Sequence, residues 1–168
     1  METSFLNATL WNYDFYATDP ENGGDNWNEE SLSVLSQTNE GSWKIRNADI
    51  LARPYPVRSS AKPELLYFDI KSKHAAIVLS GKTVAAPTVI YVPRDIQYTN
   101  QFDVFATSPL FRWDDQRELL FWKPDPTLAT NQIIICPAGA FDRCSIPKLS
   151  KELLPITTNH WTALRANR

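Results

Sequence analysis

Between Leu10 and Ser33 the chain gathers the residue types that bind sugars. It reads Leu-Trp-Asn-Tyr at 10–13, then an acidic, glycine-containing loop, then Gly-Asp-Asn-Trp-Asn at 24–28 and Leu-Ser at 32–33. Trp11, Tyr13, Phe15, Tyr16 and Trp27 supply flat faces for the C–H face of a pyranose. Asn12, Asn22, Asp25 and Asn28 supply amides and a carboxylate for its hydroxyls. An aromatic folding nucleus would have the same composition, so residue types alone leave both readings open.

Other clusters offer less. Glu29 and Glu30 are neighbours and would diverge on a helix. Asp114-Asp115 falls where a hairpin turn is expected, and turns favour Asp for its own backbone bonding. Asp19, Glu21 and Asp25 break the spacing of a calcium loop and lack its closing glutamate. Cys136 and Cys144 flank Pro137-Ala138-Gly139-Ala140, where a local disulfide is conceivable, but two cysteines are no framework and free thiols are expected. A metal site would need more ligands than these and the distant His74 and His160 provide. Both histidines read as surface or packing residues. No Gly-x-Ser-x-Gly elbow and no phosphate-binding glycine loop occurs. Nothing in the sequence calls for a cofactor.

The elements that would position these groups fall into two textures. Phe5–Trp11 reads as a buried strand, residues 14–28 as a long loop, and Asn28–Ser36 as a turn of helix with Glu29 and Glu30 near its positive end. Trp43, Ile45, Ala48, Ile50 and Leu51, interleaved with Lys44, Arg46, Asn47 and Asp49, predict an amphipathic helix over 42–51 stopped by Pro54. Strand, loop and helix in this order make one βα unit. Arg58-Ser59-Ser60-Ala61-Lys62-Pro63 reads as a linker.

After it come short β-rich runs: 64–70, 75–80, 87–92, 102–107, 110–113, 118–122 and 132–136. Within them Leu66, Phe68 and Ile70 alternate with Tyr67 and Asp69, and Phe102, Val104 and Ala106 with Asp103, Phe105 and Thr107. Such runs with turn residues between them predict antiparallel strands in a sandwich. Ser80-Gly81-Lys82 and Asp114-Asp115-Gln116 suit hairpins. The segment from Ile146 onward reads as a tail.

Composition sets limits. The 168 residues, 43% hydrophobic and 12% aromatic, suffice for one domain or one domain plus a partial neighbour. Five glycines and twelve scattered prolines suit strands with rigid turns better than long helices. With 17 basic and 19 acidic side chains and a net charge of −2, there is no basic stripe for nucleic acid. No apolar run approaches the ~20 residues that span a bilayer. No signal peptide is visible at Met1, which favours a cytoplasmic location.

Four motifs in order resemble the last barrel segment of the fungal branch of glycoside hydrolase family 5, which holds endoglycoceramidase-like enzymes, glucosylceramidases and steryl glucosidases. They are Leu10–Tyr13, the Gly24-Asp25-x-Trp27-Asn28 loop, Leu32-Ser33 and Arg53-Pro54-Tyr55-Pro56. The likeness continues through Tyr67–Asp69, Val89–Pro93 and Leu119–Trp122, which resemble the β-domain after the barrel.

The resemblance implies a mainly β fold: the last βα unit of a (β/α)8 barrel over 1–58, an antiparallel β-sandwich over 59–145 and a tail over 146–168. It implies the C-terminal part of a retaining glycosidase that cleaves a β-glucosyl group from a ceramide or sterol. Such enzymes need an acid and a nucleophilic carboxylate ~5–5.5 Å apart. In the family these glutamates end the fourth and seventh barrel strands, before the likeness begins, so the chain alone is expected to be inactive. By the same likeness Trp11 floors the glycosyl subsite, Asn12 and Tyr13 shape the barrel mouth, and Asp25 and Trp27 line an outer loop near the aglycone. For Tyr13 and Trp27 plain packing stays open. Ser31 departs from the family's acidic pair, which leaves that loop's substrate contact in doubt. Two further readings are a non-catalytic carbohydrate- or lipid-binding sandwich and a structural partner that associates with the missing barrel portion.

Overall fold

The computed structural model describes residues 34–37, 40–140 and 154–156. The described residues form two compact units, one ending at Leu51 and the other beginning at Ala52.

In the first unit β1 (Leu35–Gln37) pairs antiparallel with β2 (Trp43–Ile45), Leu35 opposite Ile45, and a single helical turn, α1 (Ala48–Leu51), follows. Two expectations are corrected here. The helix predicted over 42–51 is a strand followed by one helical turn. Ile45, Ala48 and Leu51 have helical spacing, but Trp43 and Ile45 are two apart, as on one face of a strand, and Asn47 takes a left-handed backbone (φ 52°), which a continuing helix excludes and asparagine tolerates better than most residues. The helical turn predicted to end at Ser36 meets strand β1 instead; its earlier part lies outside the described residues.

The second unit is a sandwich of two antiparallel sheets. The elements are β3 (Tyr55–Arg58), β4 (Lys62–Asp69), β5 (His74–Ser80), β6 (Thr88–Tyr91), α2 (Arg94–Gln97), β7 (Phe102–Ala106), β8 (Phe111–Asp114), β9 (Leu119–Trp122), β10 (Thr130–Pro137) and β11 (Leu154–Ile156). A five-stranded sheet runs β11-β7-β10-β5-β4 and a four-stranded sheet runs β3-β6-β9-β8. All seven β-rich runs of the sequence are strands, and the chain is mainly β.

The stretch read as a linker is corrected. Tyr55–Arg58 is an edge strand of the four-stranded sheet, and Lys62 already begins β4. Ser60 between them is buried: Thr88 Oγ1 accepts its N–H at 3.0 Å and lies 2.8 Å from its Oγ. A polar, proline-bearing composition signals solvent only when nothing in the fold takes up the hydroxyls. Pro56, Pro63 and Pro155 sit in β3, β4 and β11, which are edge strands where a missing N–H costs little, and Pro137 is the last residue of the central strand β10.

Of the two expected hairpins, β8–β9 closes over Asp115–Glu118 as predicted. Gly81 does not close one. With φ +79° it turns the chain out of the five-stranded sheet toward the four-stranded one. The hairpin that the sequence reading passed over is β4–β5, turned at Ile70–Lys73, where Asp69 accepts from Lys71 N–H (3.1 Å) and Ser72 Oγ (2.6 Å).

The core between the sheets holds Ala75, Ile77, Leu79, Val104 and Ile135 from one side and Ile90, Leu120 and Trp122 from the other. Trp122 is fully buried, and its indole N–H donates to Ser108 O at 3.2 Å, so the largest side chain is also satisfied. Phe102 meets Trp113 edge-on at 5.0 Å and Tyr98 at 5.6 Å. Buried Asn131 fixes the entry to β10 by donating to Asp125 O (2.9 Å) and accepting from Asp125 N–H (2.8 Å).

Candidate functional site

The candidate substrate residues Trp11, Asn12, Tyr13, Asp25 and Trp27 lie outside the described residues, as do Glu29, Glu30, Ser31, Cys144 and His160.

Among the described residues the densest polar constellation is at the β8–β9 hairpin end of the four-stranded sheet. Glu118 takes a left-handed backbone (φ 53°) there. Its main-chain carbonyl accepts from Val92 N–H (2.9 Å), and its carboxylate accepts from Asp95 N–H (2.9 Å) and Tyr91 Oη (3.2 Å). Arg94 bridges Asp95 and Asp115 at 2.5 and 2.6 Å, and Trp113 Nε1 donates to the same Asp115 oxygen at 3.1 Å. Arg117 stands 3.7 Å from Asp114.

This constellation ties the hairpin to α2 and does not suit bond cleavage. Glycoside cleavage by carboxylates needs one of them protonated and another free to attack. Both Glu118 oxygens are committed to fixed donors, and Asp95, Asp114 and Asp115 face arginines at the surface. Tyr91 is pushed up to about 12, first by burial and then by the negative charge of Glu118, so at neutral pH it is a donor and no base. The solvated-turn reading of Asp114-Asp115 therefore holds.

His74 is buried at the start of β5 opposite Asp69. Burial lowers its pKa and the Asp69 charge partly restores it. No group of three or more His, Cys, Asp or Glu side chains suited to a metal occurs among the described residues. No described helix is long and apolar enough to cross a membrane.

The sequence reading missed what lies on the outer face of the four-stranded sheet. Tyr55 packs on Tyr91 with ring centroids 5.5 Å apart and planes tilted by 55°, and Arg112 lies over the Phe121 ring at 4.4 Å. The strand places Val89 and Tyr91 opposite the buried Thr88 and Ile90, but Thr-Val-Ile-Tyr carries no polar–apolar alternation from which that face could have been read.

Residues 53–135, from just before β3 into β10, match the model of the glycoside hydrolase family 5 C-terminal domain. This stretch is a glycoside hydrolase family 5 C-terminal domain. Among solved structures the chain is similar to sterylglucosidase 1 of Cryptococcus neoformans, with 25% identity and a TM-score of 0.64 over 82% of this chain and 22% of that one. It also aligns with endo-glycoceramidase II from Rhodococcus sp., at 21% identity and a TM-score of 0.46 over 60% of this chain and 22% of that one. The chain thus spans about a fifth of the length of these structures. No curated protein matches it. In family 5 terms, the sandwich described above is the C-terminal domain, and its polar hairpin end is part of its framework.

Proposed function

We propose that this chain is the C-terminal portion of a retaining family 5 glycosidase that releases glucose from a glucosylated lipid, a ceramide or a sterol. The observation that carries this reading is the family match over 53–135, joined to a likeness to a sterylglucosidase. The segment ahead of the sandwich is then the end of the barrel, with the expected 42–51 helix reduced to the single turn Ala48–Leu51. In support, Trp43, Ile45, Ile50 and Leu51 in that segment are exposed apolar side chains, the kind a barrel covers. Trp11 would floor the glycosyl subsite, with Asn12 and Tyr13 at the mouth and Asp25 and Trp27 toward the aglycone.

On this reading the isolated chain does not turn over. Without a positioned acid and nucleophile, binding a sugar equally well before and during reaction accelerates nothing. The test is glucose release from glucosylceramide, a steryl glucoside and a chromogenic β-glucoside. The purified chain should release none. Sustained release that disappears in a Glu29→Gln, Glu30→Gln variant would overturn the reading. In a complete parent enzyme, Trp11→Ala should cut activity by roughly 100-fold with the fold intact, because a misplaced sugar loses its attack geometry. A parent indifferent to loss of Trp11 would remove that residue from the site.

A further inference from the structure

The outer face of the four-stranded sheet has a pattern that packing within the domain does not explain. Register places Tyr55, Tyr91, Leu119 and Asp114 in one row across the sheet, and Arg58, Val89, Phe121 and Arg112 in the next. The β8–β9 ladder then continues through Lys123 N–H to Leu110 O (2.8 Å), adding Lys123 and Leu110 beyond Phe121 and Arg112. A register shift between Pro56 and Arg58 brings Val57 to the same edge. Tyr55, Val57 and Leu110 on this face are 49%, 56% and 59% exposed.

The charges on this face are segregated. The described ion pairs of the sheet are made at its hairpin end, by Arg94 with Asp95 and Asp115 and by Arg117 with Asp114. At the opposite end Arg58, Arg112 and Lys123 are exposed, and no described carboxylate pairs with any of them. Arg58 and Arg112 bracket their row from the two edge strands, about 14 Å apart at three strand spacings. One face of the Arg112 guanidinium rests on Phe121 and its N–H edge is left for an anion.

We propose that this end of the four-stranded sheet docks the protein on an anionic lipid surface. Charge complementarity selects the partner's sign: three unpaired cations on a chain whose net charge is −2 form a local basic patch. Their setting selects a bilayer. Exposed Val57 and Leu110 enter the acyl boundary, and Arg and Lys stems lie along apolar surface with their charges at the phosphates. The choice of lipid over an acidic protein rests on the glycolipid reading above. A glycosidase that takes its substrate from a bilayer gains from a second contact that holds it there, because the tethered site then searches a surface.

The test is co-sedimentation of the full chain with vesicles that contain no glycolipid, so docking can fail without touching the glucosidase reading, and the reverse. The probes are pure phosphatidylcholine and phosphatidylcholine mixed in equal parts with phosphatidylserine. Binding is expected to the mixed vesicles only and to weaken with added salt. The triple variant Arg58→Glu, Arg112→Glu, Lys123→Glu should bind them more weakly by over roughly 100-fold, the loss that removal of three basic residues near such a surface alone would give. The neutral triple variant with Gln at the same positions should lose affinity in the same direction, which covers misfolding of the charge-reversed protein. Lys71→Glu, at the β4–β5 turn, should bind as the parent chain does. Absence of binding to the mixed vesicles would overturn the proposal. So would unaltered binding by both triple variants, or an equal loss in Lys71→Glu.

Discussion

The two sheets share one core yet differ in what lies behind it. In the five-stranded sheet Ile133 and Ile135 face the four-stranded sheet, while Ala76, Phe105, Ile134 and Cys136 turn to the opposite face and are buried as well, with Tyr67 packed against them. In the four-stranded sheet Ile90, Leu120 and Trp122 face the core, and the other side carries exposed Tyr55, Val57 and Arg112. Sequence texture records this contrast. The run Ile133-Ile134-Ile135-Cys136 is continuously apolar, as in a strand covered on both faces, while Arg112-Trp113-Asp114 alternates. One sheet is buried and apolar on both faces; the other carries exposed side chains on its outer face.

The strongest way to break this comparison is at the core the sheets share. Trp122→Ala removes the largest fully buried side chain and its bond to Ser108 O. A buried Trp→Ala change costs about 3–5 kcal/mol. Denaturant melts of the domain should show a loss of that size. A loss within about 0.5 kcal/mol, the range of ordinary surface changes, would mean that the two sheets do not close on one core.

A smaller effect sharpens the contrast between the two outer faces. Ile134→Ala, behind the five-stranded sheet, should cost about 2–4 kcal/mol because its site is closed. Val57→Ala, at the edge of the four-stranded sheet, should stay within about 0.5 kcal/mol. The same melts measure both. Equal costs would erase the distinction between a covered face and an open one.

Most of the sandwich was legible in the sequence, because β strands announce themselves by alternation and by turn residues. All seven runs from Glu64 to Cys136 are strands for that reason. Which sheet a strand joins was not legible: the Gly81 turn has hairpin composition, yet β5 pairs with β4 and β10 and the chain leaves for the other sheet. Nor was strand β2, since Ile45, Ala48 and Leu51 fit a helical stripe while Trp43 and Ile45 fit a strand face, and only the partner strand β1 decides between the two periods. Residues 58–63 were misread because the burial of Ser60 depends on Thr88, 28 residues away. The family 5 domain was legible from motif order. The sugar-binding residues read from Trp11 to Trp27 lie outside the described residues, so their standing still comes from sequence.

The smallest effect expected is a pH dependence from the covered sheet. His74 is buried, which lowers its pKa below the ordinary ~6.5, while the opposing Asp69 pulls it partly back. In the unfolded chain the imidazole takes up a proton as pH falls through ~6.5; in the folded chain it resists until a lower pH. The unfolded state therefore binds more protons in that window, and stability rises with pH across it. The contribution is complete above the unfolded pKa and is lost as pH drops through the folded one. Asp69 acts in a separate, more acidic window. Its own pKa is lowered, first by the Ser72 hydroxyl and then by Lys71 N–H, so its contribution disappears below the usual carboxylate range, ~3.9. Tyr91 on the other sheet, raised to about 12, stays neutral throughout. Melts between pH 7 and 5 should show a decline in stability that His74→Phe removes. Persistence of the decline in that variant would assign it to other groups. A gain in stability on acidification would mean that attraction to Asp69 outweighs burial.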